Sequence, residues 1–456
     1  MGRTRAGTTR RRTRFLTLAA GAALVAAAVL PGAALGRTQG KTISVAIVAN
    51  PQMQDIASLT PSLFTKQSGI KVKYTILDEG KLREITTRDV GSGGKSFDAV
   101  MIGMYETPQF GQAGLLQNLT PMASADAAYK LSDVLPAVRN GLSANGKLYA
   151  SPFYAESSFL MYRKDVLAKA GLTMPAHPTW DQVAAIARKV NTSSMAGICL
   201  RGKPGWGDLG ASFTTVLNTF GGTWWSSTAS GKPAAAQVNQ PAFKTALDFY
   251  SKLTQDAGEK DAANSSFNEC LAQYQAGKVA MWYDATVAAG LLEAADSPVK
   301  GKNGYALAPV EKTKASGWLW SWALAIPKSS PDPTDAWKYI AWATGPQYIK
   351  EAGTHTKGGW ASIPPGTRAS TYAIPQYKKA AAAFAAKTLA AMKAAPINNP
   401  GTTKRPGLPG VQYVGIPQFQ DVGNQCTQLF SSVIAGSTSD TSALSQCQQI
   451  AAQAIK

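Results

Sequence analysis

The sequence predicts an α/β protein, and three observations predict it. Between residues 43 and 102 short β-branched runs alternate with helix-like stretches. The composition, 45% hydrophobic and 16% charged, can bury large cores, and 456 residues imply two to three domains or one two-lobed body. The first run, ISVAIV at residues 43–48, is a strand that ends at the turn Asn50-Pro51 and leads into a helical stretch to Ser68. Val72, Tyr74 and Ile76 alternate through residues 70–77 as in a half-buried strand, residues 80–89 read as a polar helix, and FDAVMI at 97–102 is a third strand. That order is the signature of a mainly parallel sheet with helices on its faces. Ligands of such sheets sit beyond the carboxyl ends of the strands, so Asn50, Asp78 with Glu79, and Tyr105 with Glu106 are the first site candidates.

A second block starts near Pro152. The run Thr179-Trp180-Asp181-Gln182 has the spacing of a capping box, and Pro241 opens a helix with Phe243, Ala246, Leu247, Tyr250 and Leu253 on one face. Residues 226–240 read as a loop, the alanine-rich residues 378–393 as a helix, and residues 398–410, with three prolines and three glycines, as irregular chain. No internal repeat is visible.

At the N-terminus six arginines (Arg3, Arg5, Arg10, Arg11, Arg12, Arg14) precede an apolar run at residues 18–30, with no acid in the segment. This is the layout of a cleaved export signal covering residues 1–36, with cleavage expected near Gly36. The run is shorter than the ~20 apolar residues a bilayer span needs. Residues 9–16 also have a twin-arginine character, the alternative to general secretory export. Losing six arginines lowers the formal charge from +19 to +13. The remaining Lys and Arg residues are scattered rather than gathered in a stripe, which argues against nucleic acid as a partner.

Four cysteines in an exported chain are compatible with two disulfides, for which three connectivities exist. Pairing Cys426 with Cys447 closes the short loop and staples a C-terminal helix pair, leaving Cys199 with Cys270. No zinc-type CxxC spacing occurs and the only histidines are His177 and His355, so neither a metal site nor a cofactor is expected. Residues 91–96 resemble the tail of a phosphate-binding loop, but Asp89 stands where its leading glycine belongs, and a surface turn is the better reading. No GxSxG nucleophile motif is present. A carboxylate pair for glycoside hydrolysis needs only to converge in space, which keeps a secreted glycoside-active enzyme as the alternative.

The positive signal is aromatic. Trp206, Trp224, Trp225, Trp282, Trp318, Trp320, Trp322 and Trp360 lie in glycine-rich or strand-to-loop settings, whereas Trp337 and Trp342 follow Asp332-Pro333 on a helix and are assigned to packing. Sugars and polyols pack their C–H faces on flat rings, and their hydroxyls need several oriented polar partners.

Three stretches carry a family resemblance: FDAVMIGMYE at 97–106, GKLYASPFYAE at 146–156 followed by LMYRKD at 160–165, and WLWSWALAIP at 318–327. Together they resemble family 1 extracellular solute-binding proteins of ABC transporters. With GWASIPPGTR at 359–368, the sorbitol/mannitol-binding subgroup is the nearest branch. The resemblance runs from about Thr42 to Ile455. It implies a two-lobed, type II-like periplasmic-binding-protein fold, each lobe a mainly parallel sheet flanked by helices, with a hinge crossed more than once. One lobe would comprise residues 37–152 and 307–372, the other 153–306 and 373–456. The expected function is capture of a sugar alcohol or small sugar for ABC permease subunits, by a monomer and without catalysis.

Residue by residue, the resemblance points to Tyr105 and Glu106 after a strand, Tyr154 and Glu156 entering the second lobe, Trp282 with Asp284 at an aromatic-acid turn, and Trp318 and Trp320 as stacking rings. Arg201, Trp206 and Arg368 join them, the arginines as forked donors to hydroxyl oxygens, while Asn50 and Glu79 rest on strand-end geometry alone. The sequence departs from many relatives in having no lipid-attachment cysteine after the apolar run, which implies a protein free in the periplasm. Its cysteine set also departs from the polyol subgroup. Within binding proteins, an oligosaccharide, a polyamine or ferric iron are the alternative solutes; the spread of tryptophans disfavours iron.

Overall fold

A computed structural model describes residues 41–456. The export-signal, cleavage and twin-arginine readings lie outside the described residues.

Strand β1 (Thr42–Val48) carries Ile43, Val45, Ala46, Ile47 and Val48 into the core, and Pro51 opens helix α1 (Pro51–Thr60) at a position where its missing N–H costs nothing. Pro61 cannot donate within the continuing helix, and one π-helical turn (Pro61–Thr65) follows it. Strand β2 (Lys71–Leu77) leads to helix α2 (Glu79–Gly91), whose N-terminus is capped by Asp78 accepting from the Lys81 N–H. Strand β3 (Ala99–Gly103), wholly buried, leads to α3 (Glu106–Gln112). Strands β4 (Ala150–Glu156) and β5 (Ser158–Arg163) are one nearly continuous run that passes from a first sheet into a second.

Beyond it lie α4 (Trp180–Val190), which has the expected Thr179/Gln182 capping box, α5 (Leu209–Thr219), and a small hairpin, β6 (Trp225–Ser227) with β7 (Pro233–Ala236). Helices α6 (Pro241–Ala257) and α7 (Phe267–Gln275) precede β8 (Met281–Ala285), β9 (Asn303–Leu307) and β10 (Trp320–Ala325). The chain closes with α8 (Pro333–Ala343), α9 (Pro346–His355), α10 (Pro375–Ala380), α11 (Ala385–Ala394), α12 (Phe419–Ile434) and α13 (Asp440–Gln453).

The architecture is α/β and two-lobed. A five-stranded sheet in the order β2-β1-β3-β10-β4 organises one lobe, and a three-stranded sheet in the order β8-β5-β9 organises the other. The chain leaves the first sheet after β4, returns between β9 and β10, and departs again after α9 to place α12 against α5 and α6. Those are three crossings.

Three local expectations need correction. The second sheet is not mainly parallel, since β5 is antiparallel to both β8 and β9, whereas in the first sheet β2, β1, β3 and β4 run in one direction and only β10 runs against them. The reason is the crossing itself, because β5 enters the second sheet heading away from the cleft while β8 and β9 run back toward it. Residues 226–240 contain the hairpin rather than only loop, Gly231 at φ +83° allowing the turn. Residues 378–393 are broken by a turn at 381–384, which carries Phe384 inward against the Tyr305 ring.

Trp337 and Trp342 are buried on α8 against Tyr129, Phe64 and Tyr348. Disulfides join Cys199 to Cys270 and Cys426 to Cys447, the latter tying α12 to α13 with a Cα separation of 5.1 Å. Closing a loop with a sequence separation of 21 contributes about 3 kcal/mol in the chain-entropy account.

Candidate functional site

Where the two sheets face each other a narrow cavity of about 30 Å³ remains, lined by aromatic and charged side chains. Its first wall comes from neighbouring strands. Trp320 pairs with Glu156 and Trp322 with Tyr154, and since side chains on one strand face share a period of two, all four turn to the same side. Gly103, on the adjacent strand, leaves room for the Trp320 ring, which a Cβ there would overlap. Trp318, two residues before Trp320, extends the wall. Asn50 sits at the N-cap of α1 but makes no capping bond; its amide donates to the Tyr154 hydroxyl at 3.1 Å instead.

Two arginines are fixed at the cavity. Arg83 donates to Glu79 at 2.7 and 3.1 Å and to Glu106, and its guanidinium lies 4.1 Å from the Trp206 ring centroid, 4.6 Å from that of Trp322 and 5.1 Å from that of Trp320. Arg201 makes a forked pair with Asp284 at 2.8 and 2.6 Å and donates to the Gly207 carbonyl at 2.9 Å. Glu79 stands between them, 3.7 Å from Arg201. Gly207 has no side chain because a Cβ would overlap the Glu79 carboxylate. Burial lowers the pKa of both guanidiniums, but the neighbouring carboxylates more than restore it, holding both charged.

Glu156 differs from the other acids. Burial raises its pKa well above the usual carboxylate range; Asp284 and Glu79 push the same way, and Arg201 only partly opposes them. Its Oε2 has no partner among the described residues, nor have the buried indole N–H groups of Trp206 and Trp318. A neutral Glu156 is a hydroxyl donor as well as an acceptor. With Glu156 neutral, the lining groups Arg83, Arg201 and Glu79 sum to +1, and Glu106 and Asp284 behind them clamp the two guanidiniums. The lining side chains are nearly water-free, Trp206 at 1% exposure and Arg201 at 6%, as in a closed cleft.

Of the expected residues, Asn50, Glu79, Tyr154, Glu156, Arg201, Trp206, Trp318 and Trp320 line the cavity together. Four stand behind it. Glu106 clamps Arg83 and accepts from the Gly103 N–H at 3.0 Å, Asp284 clamps Arg201, and Trp282 donates to Asp284 at 3.2 Å. Tyr105 packs its ring 4.6 Å from that of Trp206, and its hydroxyl donates to the Ile416 carbonyl at 2.8 Å. Arg368 is elsewhere: it donates to the Thr344 and Lys130 carbonyls and lies over Tyr129, because residues 366–368 run beside the Val134 strand bridge rather than into the cleft.

Sequence reasoning missed Arg83, Phe267 and Gln412 as lining residues and placed Trp322 only in the general aromatic signal. Arg83 was findable, one turn beyond Glu79 on the same helix face, and Trp322 by its period with Trp320. Gln412 lies in irregular chain with no periodic signal.

Two α/β lobes joined by three crossings, with an aromatic and hydrogen-bonding cavity between them, define a ligand-binding protein of the solute-capture type. This chain belongs to the bacterial extracellular solute-binding protein family, whose model matches residues 46–350. It is 40% identical over 420 residues to a mannitol-binding protein of Pseudomonas aeruginosa, covering 91% of this chain and 93% of that one. Among solved structures, an ABC transporter solute-binding protein from Agrobacterium vitis S4 with bound D-mannitol is 43% identical, with a TM-score of 0.86 over 91% of this chain and 98% of that one. A ribitol complex of such a protein from Agrobacterium radiobacter K84, at 24% identity, shares the fold with a TM-score of 0.77 over 91% of this chain and 99% of that one. Among the described residues no helix is long and apolar enough to cross a membrane.

Proposed function

We propose that this chain is the solute-binding component of an ABC importer for a linear sugar alcohol, with a hexitol such as mannitol or sorbitol as its ligand. The observation that carries the reading is the set of unpaired polar atoms at a ring-lined cavity: Glu156 Oε2 and the indole N–H groups of Trp206 and Trp318 lack partners that a polyol's hydroxyls supply. With Glu156 holding its proton, Glu79, Arg83 and Arg201 sum to +1 at the lining, which suits an uncharged ligand better than a cationic polyamine. Sequence similarity to the mannitol-binding protein of Pseudomonas aeruginosa supports the same solute class.

In this reading Asn50, Glu79, Arg83, Tyr154, Glu156, Arg201, Trp206, Trp318 and Trp320 hold the ligand. Residues 37–152 with 307–372 form one lobe and residues 153–306 with 373–456 the other. Ligand favours the closed arrangement, which offers both lobes to the permease, and no bond is made or broken. The protein works as a monomer in the periplasm after its signal is removed near Gly36.

Titration of intrinsic tryptophan fluorescence and calorimetry with D-mannitol, D-sorbitol, ribitol, maltose and putrescine tests the proposal. The expected result is saturable one-to-one binding of at least one hexitol and none of putrescine. Silence toward every polyol at millimolar concentration would sink it.

A further inference from the structure

A second cavity, of about 540 Å³, lies at the N-terminal end of α6 and is bordered by Trp225, Ser227, Lys312, Lys404 and Arg405. No carboxylate lines it. At its base Arg405 is only 2% exposed, yet its contacts are the Gly410 carbonyl at 3.0 Å and the Thr223 hydroxyl at 3.4 Å, and its Nε has no partner among the described residues. Burial without a counter-ion pulls this guanidinium down to about 10. Arg83, Arg201 and Arg368, buried to a similar degree, each have a carboxylate within ion-pair distance, whereas Arg405 has none among the described residues.

The surroundings add positive potential. Lys312 and Lys404 are exposed at the cavity's edge, and no carboxylate among the described residues lies within ion-pair distance of either. The 17-residue helix α6 presents its N-terminus here: Gln240 at the N-cap makes no side-chain capping bond, and the first turn has no acid, so the positive end of the helix is left unneutralised. The buried hydroxyl of Ser227 is a further unpartnered group. A buried guanidinium, two free ammonium groups and an open helix N-terminus around one cavity form the donor set of an oxyanion site.

We propose that this cavity is a second ligand site, separate from the cleft between the sheets, that binds a phosphate-bearing small molecule. The anion supplies the counter-charge that Arg405 lacks.

Calorimetric titration of the purified protein with inorganic phosphate and with pyrophosphate at low ionic strength, against chloride at matched ionic strength, tests this. One-to-one binding is expected, weakened at least about tenfold in a Lys312→Gln/Lys404→Gln double variant, whose exposed side chains do not affect folding. Arg405→Met should abolish binding. In phosphate-free buffer its Tm should match or exceed that of the wild type, since an uncompensated buried charge has been exchanged for an apolar chain. Phosphate should raise the Tm of the wild type by a few degrees and leave that of Arg405→Met unmoved. If Arg405→Met does not fold, the double-lysine variant still decides the matter. No binding of either anion at millimolar concentration, binding that the variants leave unchanged, or retention on phosphatidylglycerol vesicles without a response to free phosphate would each overturn the proposal.

Discussion

The two walls of the cleft are made differently. On one side Tyr154 and Glu156 on β4 face Trp320 and Trp322 on β10, two adjacent paired strands whose backbone ladder sets the spacing. On the other, Arg201, Trp206, Phe267 and Gln412 arrive from separate segments, the first three held by ion pairs and ring contacts. The strand wall is rigid because the sheet is rigid; the assembled wall is only as firm as its charged anchors. Substitutions in the first should therefore act mainly on affinity, and those in the second on stability as well.

The sharpest break of that comparison is Asp284→Ala. It removes the forked partner of buried Arg201 and leaves only Glu79 at 3.7 Å, and a loss of about 3 kcal/mol in urea unfolding is expected, with hexitol binding abolished. Glu106→Gln should cost less, about 1–2 kcal/mol, because Glu79 still holds Arg83. Equal losses would show that the two arginines are not supported as their geometry implies.

On the strand wall, Trp320→Ala should weaken hexitol binding by about 10- to 100-fold, measured by calorimetry, while the protein still unfolds cooperatively. Unchanged affinity would remove Trp320 from the site.

A titration sharpens the contrast further. Asp208, hydrogen-bonded to Ser266, has its carboxyl pushed up from 3.8 to about 7, first by burial and then by Glu79. It binds its proton more tightly folded than unfolded, so the stability it contributes is complete below about pH 4 and is lost as pH rises toward 7. Glu156 acts in the same direction, its raised pKa having burial as the leading cause. Asp208→Asn should flatten the decline in Tm between about pH 4 and 7; a slope identical to the wild type would contradict the assignment.

The smallest effect belongs to Tyr105→Phe. The ring contact to Trp206 survives and only the hydroxyl's bonds to the Ile416 carbonyl and from the Gln420 N–H are lost, so about 1 kcal/mol of stability and less than threefold in affinity are expected. A tenfold loss of affinity would place Tyr105 at the ligand rather than behind Trp206.

Much of the site was legible because much of it is periodic. Strand ends pointed to Asn50 and Glu79, and the motif around Tyr154 and Glu156, with Trp318 and Trp320, brought residues that do meet in one cavity. Local pattern failed where two residues of one motif take different layers: Asp284 and Trp282 sit beneath Arg201, and Tyr105 beneath Trp206, though each carries the residue type a ligand site uses. Arg368 shows the limit most plainly, since an arginine in a family-like segment serves backbone carbonyls instead of ligand.

By itself the sequence determined the α/β class, the helix starts, and the aromatic and acidic residues available for a site, because these depend on local periodicity, capping and composition. Only the tertiary structure decided the antiparallel second sheet, which acids face the cavity and which anchor an arginine, and that Glu79 stands between Arg83 and Arg201. Those outcomes depend on the direction in which the chain crosses between sheets and on burial shared by residues up to hundreds of positions apart, neither of which a local window contains.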